Sequence, residues 1–208
     1  MLWVKGHGRS MSPDGAVVST EFPSDVKRRP KEVIKKLCLL GDPAVGKTSL
    51  IKKFIYNVFD DKYITTIGTK VTKKEMLLPG ASSDGRDMLM TMLMWDILGQ
   101  REHSRLHAMF YQGAEGAMVV CDITRMDTVR NMRVWVESFR AVVGQVPIIF
   151  LLNKMDLLDT ETFDKSEIER LSKEYKAQYL FTSAKKGDNV DLAFQTFANQ
   201  LAKTIRDD

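Results

Sequence analysis

The chain has 208 residues, of which 44% are hydrophobic and 28% charged. That supports one domain with a substantial core plus a tail, and it excludes a disordered or fibrous polypeptide. The net charge is +4, but residues 1–36 hold eight basic against four acidic residues, while residues 37–208 hold equal numbers of each sign. The main body is therefore neutral, which argues against a nucleic-acid-binding surface despite a pI near 9.

No apolar run approaches the roughly 20 residues needed to cross a bilayer. MLWVKGHGRS has no apolar stretch of the kind a secretory leader carries, so none is expected. Residues 1–31 contain Pro13, Pro23 and Pro30 and no sustained period, and read as a basic, disordered extension. Residues 32–208 read as the domain. Cys38 and Cys121 each sit in an apolar run and are expected to be buried, reduced thiols in a cytoplasmic protein. His7, His103 and His107 show no metal-ligand spacing with them.

In chain order, residues 32–41 read as an apolar strand closing on a glycine. Residues 47–57 place Leu50, Ile51, Phe54 and Ile55 at a helical period. Residues 69–78 and 87–97 read as two strands joined by the turn-rich PGASSDGR, a hairpin. Along the second strand, Met88, Met90, Met92 and Met94 alternate with Leu89, Thr91, Leu93 and Trp95. Neither face is polar, so core packing takes one and the other needs cover. Residues 115–123 read as a buried strand and 128–143 as an amphipathic helix capped by Asp127. Residues 146–153 are a further buried strand. Residues 166–177 read as a helix opened by a Ser166/Glu169 capping box. A short strand over 179–184 and a helix over 190–205, capped by Asn189, close the chain. Alternating strands and helices imply a mostly parallel sheet covered on both faces.

Gly41-Asp42-Pro43-Ala44-Val45-Gly46-Lys47-Thr48 matches G-x-x-x-x-G-K-[ST] between a strand and a helix. The glycines let backbone N–H groups turn inward around phosphate oxygens, and the helix N-terminus adds partial positive charge. Residues Asp42, Pro43, Ala44, Val45, Gly46, Lys47, Thr48 and Ser49 are the candidate phosphate contacts. Lys47 is placed to reach the terminal phosphates, and the Thr48 hydroxyl to bind Mg²⁺. Such a loop takes any nucleoside triphosphate, so the base is read elsewhere. Asn153-Lys154-Met155-Asp156 follows a buried strand, at the carboxyl end where doubly wound sheets bind ligands. A carboxylate there accepts from both the ring N–H and the exocyclic amine of guanine, whereas adenine presents a lone pair at the ring nitrogen.

With these motifs in order, residues 33–206 resemble a Ras-superfamily small GTPase. The resemblance implies a G domain with a six-stranded, mostly parallel sheet, one antiparallel edge strand and helices on both faces. It also implies roles for further residues. Thr66 resembles the switch I threonine that completes the Mg²⁺ shell, and Phe59 the aromatic that covers the guanine. Asp96 would hold Mg²⁺ through water, Gly99 would touch the γ-phosphate and Gln100 would orient the attacking water. Ser183, Ala184 and Lys185 match the last base-binding loop. TTIG, Trp95 and FYQGAEGAMVVCDIT look Rab-like, which implies vesicle trafficking and signalling. Departures are Pro43 in the phosphate loop, Ile97 and Leu98 before Gly99, the order Arg101-Glu102 after Gln100, and His103 where an aromatic is common.

The resemblance implies a monomeric switch that binds GTP with Mg²⁺, hydrolyses it to GDP, and meets exchange factors, activating proteins and effectors through its two switches. The alternative is a GTP-binding interaction module with little hydrolysis. No residue in the sequence identifies itself as an arginine finger in cis, so turnover of about 10⁻⁴ to 10⁻³ s⁻¹ is expected. Neither cysteine lies near the C-terminus, so no prenyl anchor is expected. The basic extension is left as the candidate for weak membrane contact.

Overall fold

The computed structural model describes residues 29–59, 69–97, 104–158 and 163–205, with the backbone alone for 104–106. The expectations for the extension over residues 1–28, and for Thr66, Leu98, Gly99, Gln100, Arg101, Glu102 and His103, lie outside the described residues.

The elements run β1 (Lys31–Leu40), α1 (Lys47–Tyr56), β2 (Thr69–Leu78), β3 (Met88–Ile97), α2 (Ser104–Tyr111), β4 (Gly116–Asp122), α3 (Met126–Val143), β5 (Ile148–Asn153), a single 3-10 turn (Met155–Leu157), α4 (Ser166–Tyr175), β6 (Gln178–Thr182) and α5 (Val190–Ala202). The six strands form one sheet in the order β2-β3-β1-β4-β5-β6. Only β2 runs antiparallel, paired with β3 from Thr69↔Ile97 to Leu78↔Met88, and the other neighbours are parallel.

The sheet has two apolar faces because its central strands are apolar at every position: all seven residues of β4 and all six of β5 are buried. Leu37 and Leu39 of β1 pack beneath α1 and α5, where Phe54 and Phe194 stack with centroids 4.0 Å apart. Cys38 and Leu40 face the layer built by α2, α3 and α4. Both cysteines are buried and free, as their strands predicted.

The methionine stripe joins the first layer. Met88, Met90, Met92 and Met94 are at most 1% exposed. Of the alternate residues, Leu89, Thr91 and Leu93 are half-buried, and Trp95 is partly covered by Lys36 Nζ at 3.9 Å and by Phe110. By register, Ile34, Val71 and Leu77 share that outer face, and all three are exposed. Among the described residues, no helix is long and apolar enough to cross a membrane.

Strand and helix ends fall within three residues of their sequence-based limits, but three helix starts differ in chemistry. Helix α3 begins at Met126 after Arg125, which places Asp127 inside the first turn rather than at the cap. The Ser166/Glu169 box does not form. Ser166 is already helical, and its N–H donates to Asp164 Oδ1 at 2.9 Å, so the acceptor comes from two residues upstream. Asn189 does precede α5, but in a left-handed conformation, and its side chain donates to the Phe181 carbonyl. Helix α2 and the 3-10 turn were not anticipated, because neither is long enough to display a period.

Candidate functional site

The chain turns from β1 into α1 at Gly41, whose φ is +135°. A Cβ there would stand 2.1 Å from the Val120 carbonyl oxygen on β4. Gly46, at φ +100°, would place a Cβ 2.2 Å from Asn153 Nδ2. Two neighbouring strands therefore press directly on the loop, and glycine is the residue that fits both sites. Ala44 also adopts a left-handed conformation, with φ +60°. Pro43 and Ala44 are exposed, and Val45 is buried beneath them.

Lys47 opens α1 and folds back into the loop. Its Nζ donates to the carbonyls of Gly41 at 2.6 Å and Asp42 at 2.9 Å. Burial pulls its pKa down to about 8, against the opposing charges of Asp96 and Asp42. Its charge thus rests on two backbone carbonyls of the loop.

Asp42 has its carboxylate bonded to α3. It is 5% exposed and accepts from Trp135 Nε1 at 2.8 Å and from Asn131 Nδ2 at 2.6 Å, both on α3. Its contribution to an anion is thus restricted to the backbone, while its side chain ties the loop to α3.

Two of the three residues expected to hold a cation, Thr48 and Asp96, meet from two elements. The Thr48 hydroxyl donates to Asp96 Oδ2 across the gap between α1 and β3. Asp96 is 1% exposed, and its Oδ1 has no hydrogen-bond partner among the described residues. Burial raises its carboxyl above the ordinary range despite the Thr48 hydrogen bond and the Lys47 charge. An orphaned buried carboxylate oxygen beside a hydroxyl is an all-oxygen donor set, which suits Mg²⁺. Among the described residues, no cluster of three or more His, Cys, Asp or Glu stands ready for a metal.

On the base side, Asn153 is the junction. Its Nδ2 donates to the Val45 carbonyl of the loop at 2.9 Å. Its Oδ1 accepts from Thr182 Oγ1 at 3.3 Å and from the Ala184 N–H at 3.2 Å. The Ala184 N–H predicted to meet the base is therefore paired to Asn153 in this structure. Ser183 Oγ donates to Asp156 Oδ1 at 2.7 Å and accepts from the Lys186 N–H, which fixes the carboxylate's orientation. Lys185 is exposed beside them, and Phe59 packs half-buried against the α1/α5 layer.

Three residues absent from the sequence reading complete the rim. Asp122 ends β4 with 2% exposure. It accepts from Lys154 Nζ at 2.6 Å, from the N–H and hydroxyl of Thr124, and from Arg125 Nε at 3.1 Å. Burial alone would raise its carboxyl. The Lys154 and Thr124 hydrogen bonds and the Lys154 charge together hold it below the ordinary range. The Arg125 Nη2 donates to the Pro43 carbonyl at 2.9 Å. The available signal was position: Asp122 closes a fully buried strand, at the same sheet end as the loop and N-K-x-D.

A glycine loop between a strand and a helix, a buried lysine and a hydroxyl–carboxylate pair at the carboxyl edge of a parallel sheet define a nucleotide-binding α/β protein of the phosphate-loop class. The model of the Ras family matches residues 36–203. The chain belongs to that family, which makes it a GTP-binding switch protein of the GTPase class.

Proposed function

We propose that the chain binds GTP with Mg²⁺, hydrolyses it slowly to GDP and phosphate, and signals through switch I at Thr66 and switch II at Gly99 and Gln100. The observation that carries the reading is Asn153. One side chain bonds both the phosphate loop at Val45 and the base loop at Ala184, so the two halves of one nucleotide site are locked in register. Lys47 supplies charge to the terminal phosphates, and backbone N–H groups of residues 44–48, at the start of α1, would accommodate their oxygens. Thr48 and Asp96 would hold the cation, which when bound neutralises phosphate charge. Asp156, oriented by Ser183, accepts from the guanine edge, with Lys154 and Lys185 flanking the ring and Phe59 beside it.

Hydrolysis requires a positioned water, the role assigned to Gln100. Loss of the γ-phosphate would then release Thr66 and Gly99, which is how partners would sense the state. The Rab-like motifs support a trafficking role, a cytoplasmic location and partners of the exchange-factor, activator and effector kinds. Single-turnover GTP hydrolysis, compared with Gln100→Leu, tests the mechanism, and the variant is expected to lose most of the rate. Equal rates would remove Gln100 from it. ATP binding as tight as GTP would overturn the role of Asp156. Protein that emerges from purification carrying intact GTP would favour the interaction module over the hydrolase.

A further inference from the structure

The geometry points to Arg125 as a catalytic cation supplied in cis: its guanidinium, held by Asp122 at the rim of the phosphate loop, stabilises the charge that builds on the phosphates as GTP is cleaved. The inference rests on the reading of the site as a GTP hydrolase. It goes beyond that reading, because the sequence identifies no internal arginine for the task.

Arg125 is the residue immediately before α3, so its side chain leaves the β4–α3 turn at the sheet end where the phosphate loop sits. Asp122, three residues earlier, fixes one edge of the guanidinium through Nε, and the Pro43 carbonyl fixes a second point through Nη2. Among the described residues, Nη1 donates to no acceptor, so one amino group of the fork is left for a ligand.

Its nearness to Lys47 follows from the loop itself. Lys47 Nζ touches the Asp42 carbonyl at 2.9 Å, and Arg125 Nη2 touches the next carbonyl, Pro43, also at 2.9 Å. Adjacent carbonyls are joined by a single residue, whose Cα–Cα step is about 3.8 Å. The two cations thus donate to adjacent carbonyls of the same short piece of backbone. The Arg125 charge is close enough to be one of the influences that lower Lys47. Asp122 also holds Lys154, so its single carboxylate places both the base-side lysine and the phosphate-side arginine. A planar fork with a fixed edge and a free amino group is suited to phosphate oxygens.

In the reaction, water attacks the γ-phosphorus and a P–O bond forms as the bond to the β–γ bridging oxygen breaks. The electron pair of the broken bond stays on GDP, and the protons of the water pass to the phosphate product and solvent. Negative charge grows on the bridging oxygen, where a nearby guanidinium is worth most.

The test uses the full chain with Mg²⁺ and compares wild type, Arg125→Ala and Arg125→Lys in single-turnover GTP hydrolysis, alongside dissociation of fluorescent GDP. Arg125→Ala is expected to slow hydrolysis about 20-fold, the ratio between switch proteins with and without an internal arginine. GDP dissociation should change less than threefold, and Arg125→Lys should fall between the two rates. Wild type with GDP, Mg²⁺ and aluminium fluoride should form the transition-state complex without an activating protein, and Arg125→Ala should not. Hydrolysis within twofold of wild type in Arg125→Ala would overturn the proposal. So would parallel losses in hydrolysis and GDP retention, which mark a merely structural residue. Wild type that binds GTP without turning it over would defeat the hydrolase reading and this proposal together, whereas turnover unaffected by Arg125→Ala would defeat this proposal alone.

Discussion

Lys47 is a buried ammonium whose nearest contacts are carbonyls, and its lowered pKa makes the site's affinity a function of pH. An ordinary lysine titrates near 10.5, and burial brings this one to about 8. Above pH 8 the empty folded protein sheds a proton that the unfolded chain keeps, so the empty protein gains stability as pH rises from 8 toward 10.5. Phosphate has the opposite effect, because it restores the ammonium. GDP binding should therefore take up about three quarters of a proton at pH 8.5, and affinity should fall between pH 8 and 9 after a plateau below. Calorimetry in two buffers of different ionisation enthalpy reads the proton directly, and an enthalpy independent of buffer would refute the assignment. Asp122 makes a second prediction. Asp122→Ala leaves Lys154 and Arg125 without their shared acceptor and should cost about 2 kcal/mol of stability in urea unfolding, with faster GDP release because Lys154 loses its anchor.

At the scale of elements, the phosphate loop is fixed by the two strands that crowd it. Gly46→Ala adds a Cβ at a left-handed position that Asn153 already fills. The backbone penalty and the lost Asn153–Val45 hydrogen bond together should amount to about 2 to 3 kcal/mol, seen as a lower Tm and weaker nucleotide binding. In the β2–β3 hairpin the two faces of β3 should respond unequally. Met92→Ala opens a cavity under α1 and should cost about 3 kcal/mol, while Leu93→Ala on the half-exposed face should cost less than half of that. The strands, the larger helices and the loop were legible in the sequence because period, apolar runs and a glycine motif are local signals. The base site was legible for the same reason, as N-K-x-D sits directly behind a buried strand. The residues that precede α3 and α4 were not, since Arg125 and Lys165 lie one or two positions from the better-looking candidates Asp127 and Ser166. Nor were the partners of Asp42 and Pro43, which come from α3 and the turn before it, 82 to 93 residues away along the chain.

Over the whole molecule, a single sheet carries both core layers, with Cys38 and Cys121 buried in adjacent central strands. Burial pushes the Cys38 thiol up to about 12 and raises Cys121 further. Both should resist a thiol reagent in the folded protein and react together, in the same denaturant transition that abolishes circular dichroism. Separate transitions would show that the two halves of the sheet unfold independently. The bond between Trp135 and Asp42 has an optical consequence. An indole that is 2% exposed, with its N–H on a carboxylate of the phosphate loop, is a built-in fluorophore whose emission depends on where that loop stands. Filling or emptying the cradle should shift its intensity, so occupancy can be followed in real time on unlabelled protein, with Trp135→Phe as the control that leaves only the emission of Trp3 and Trp95.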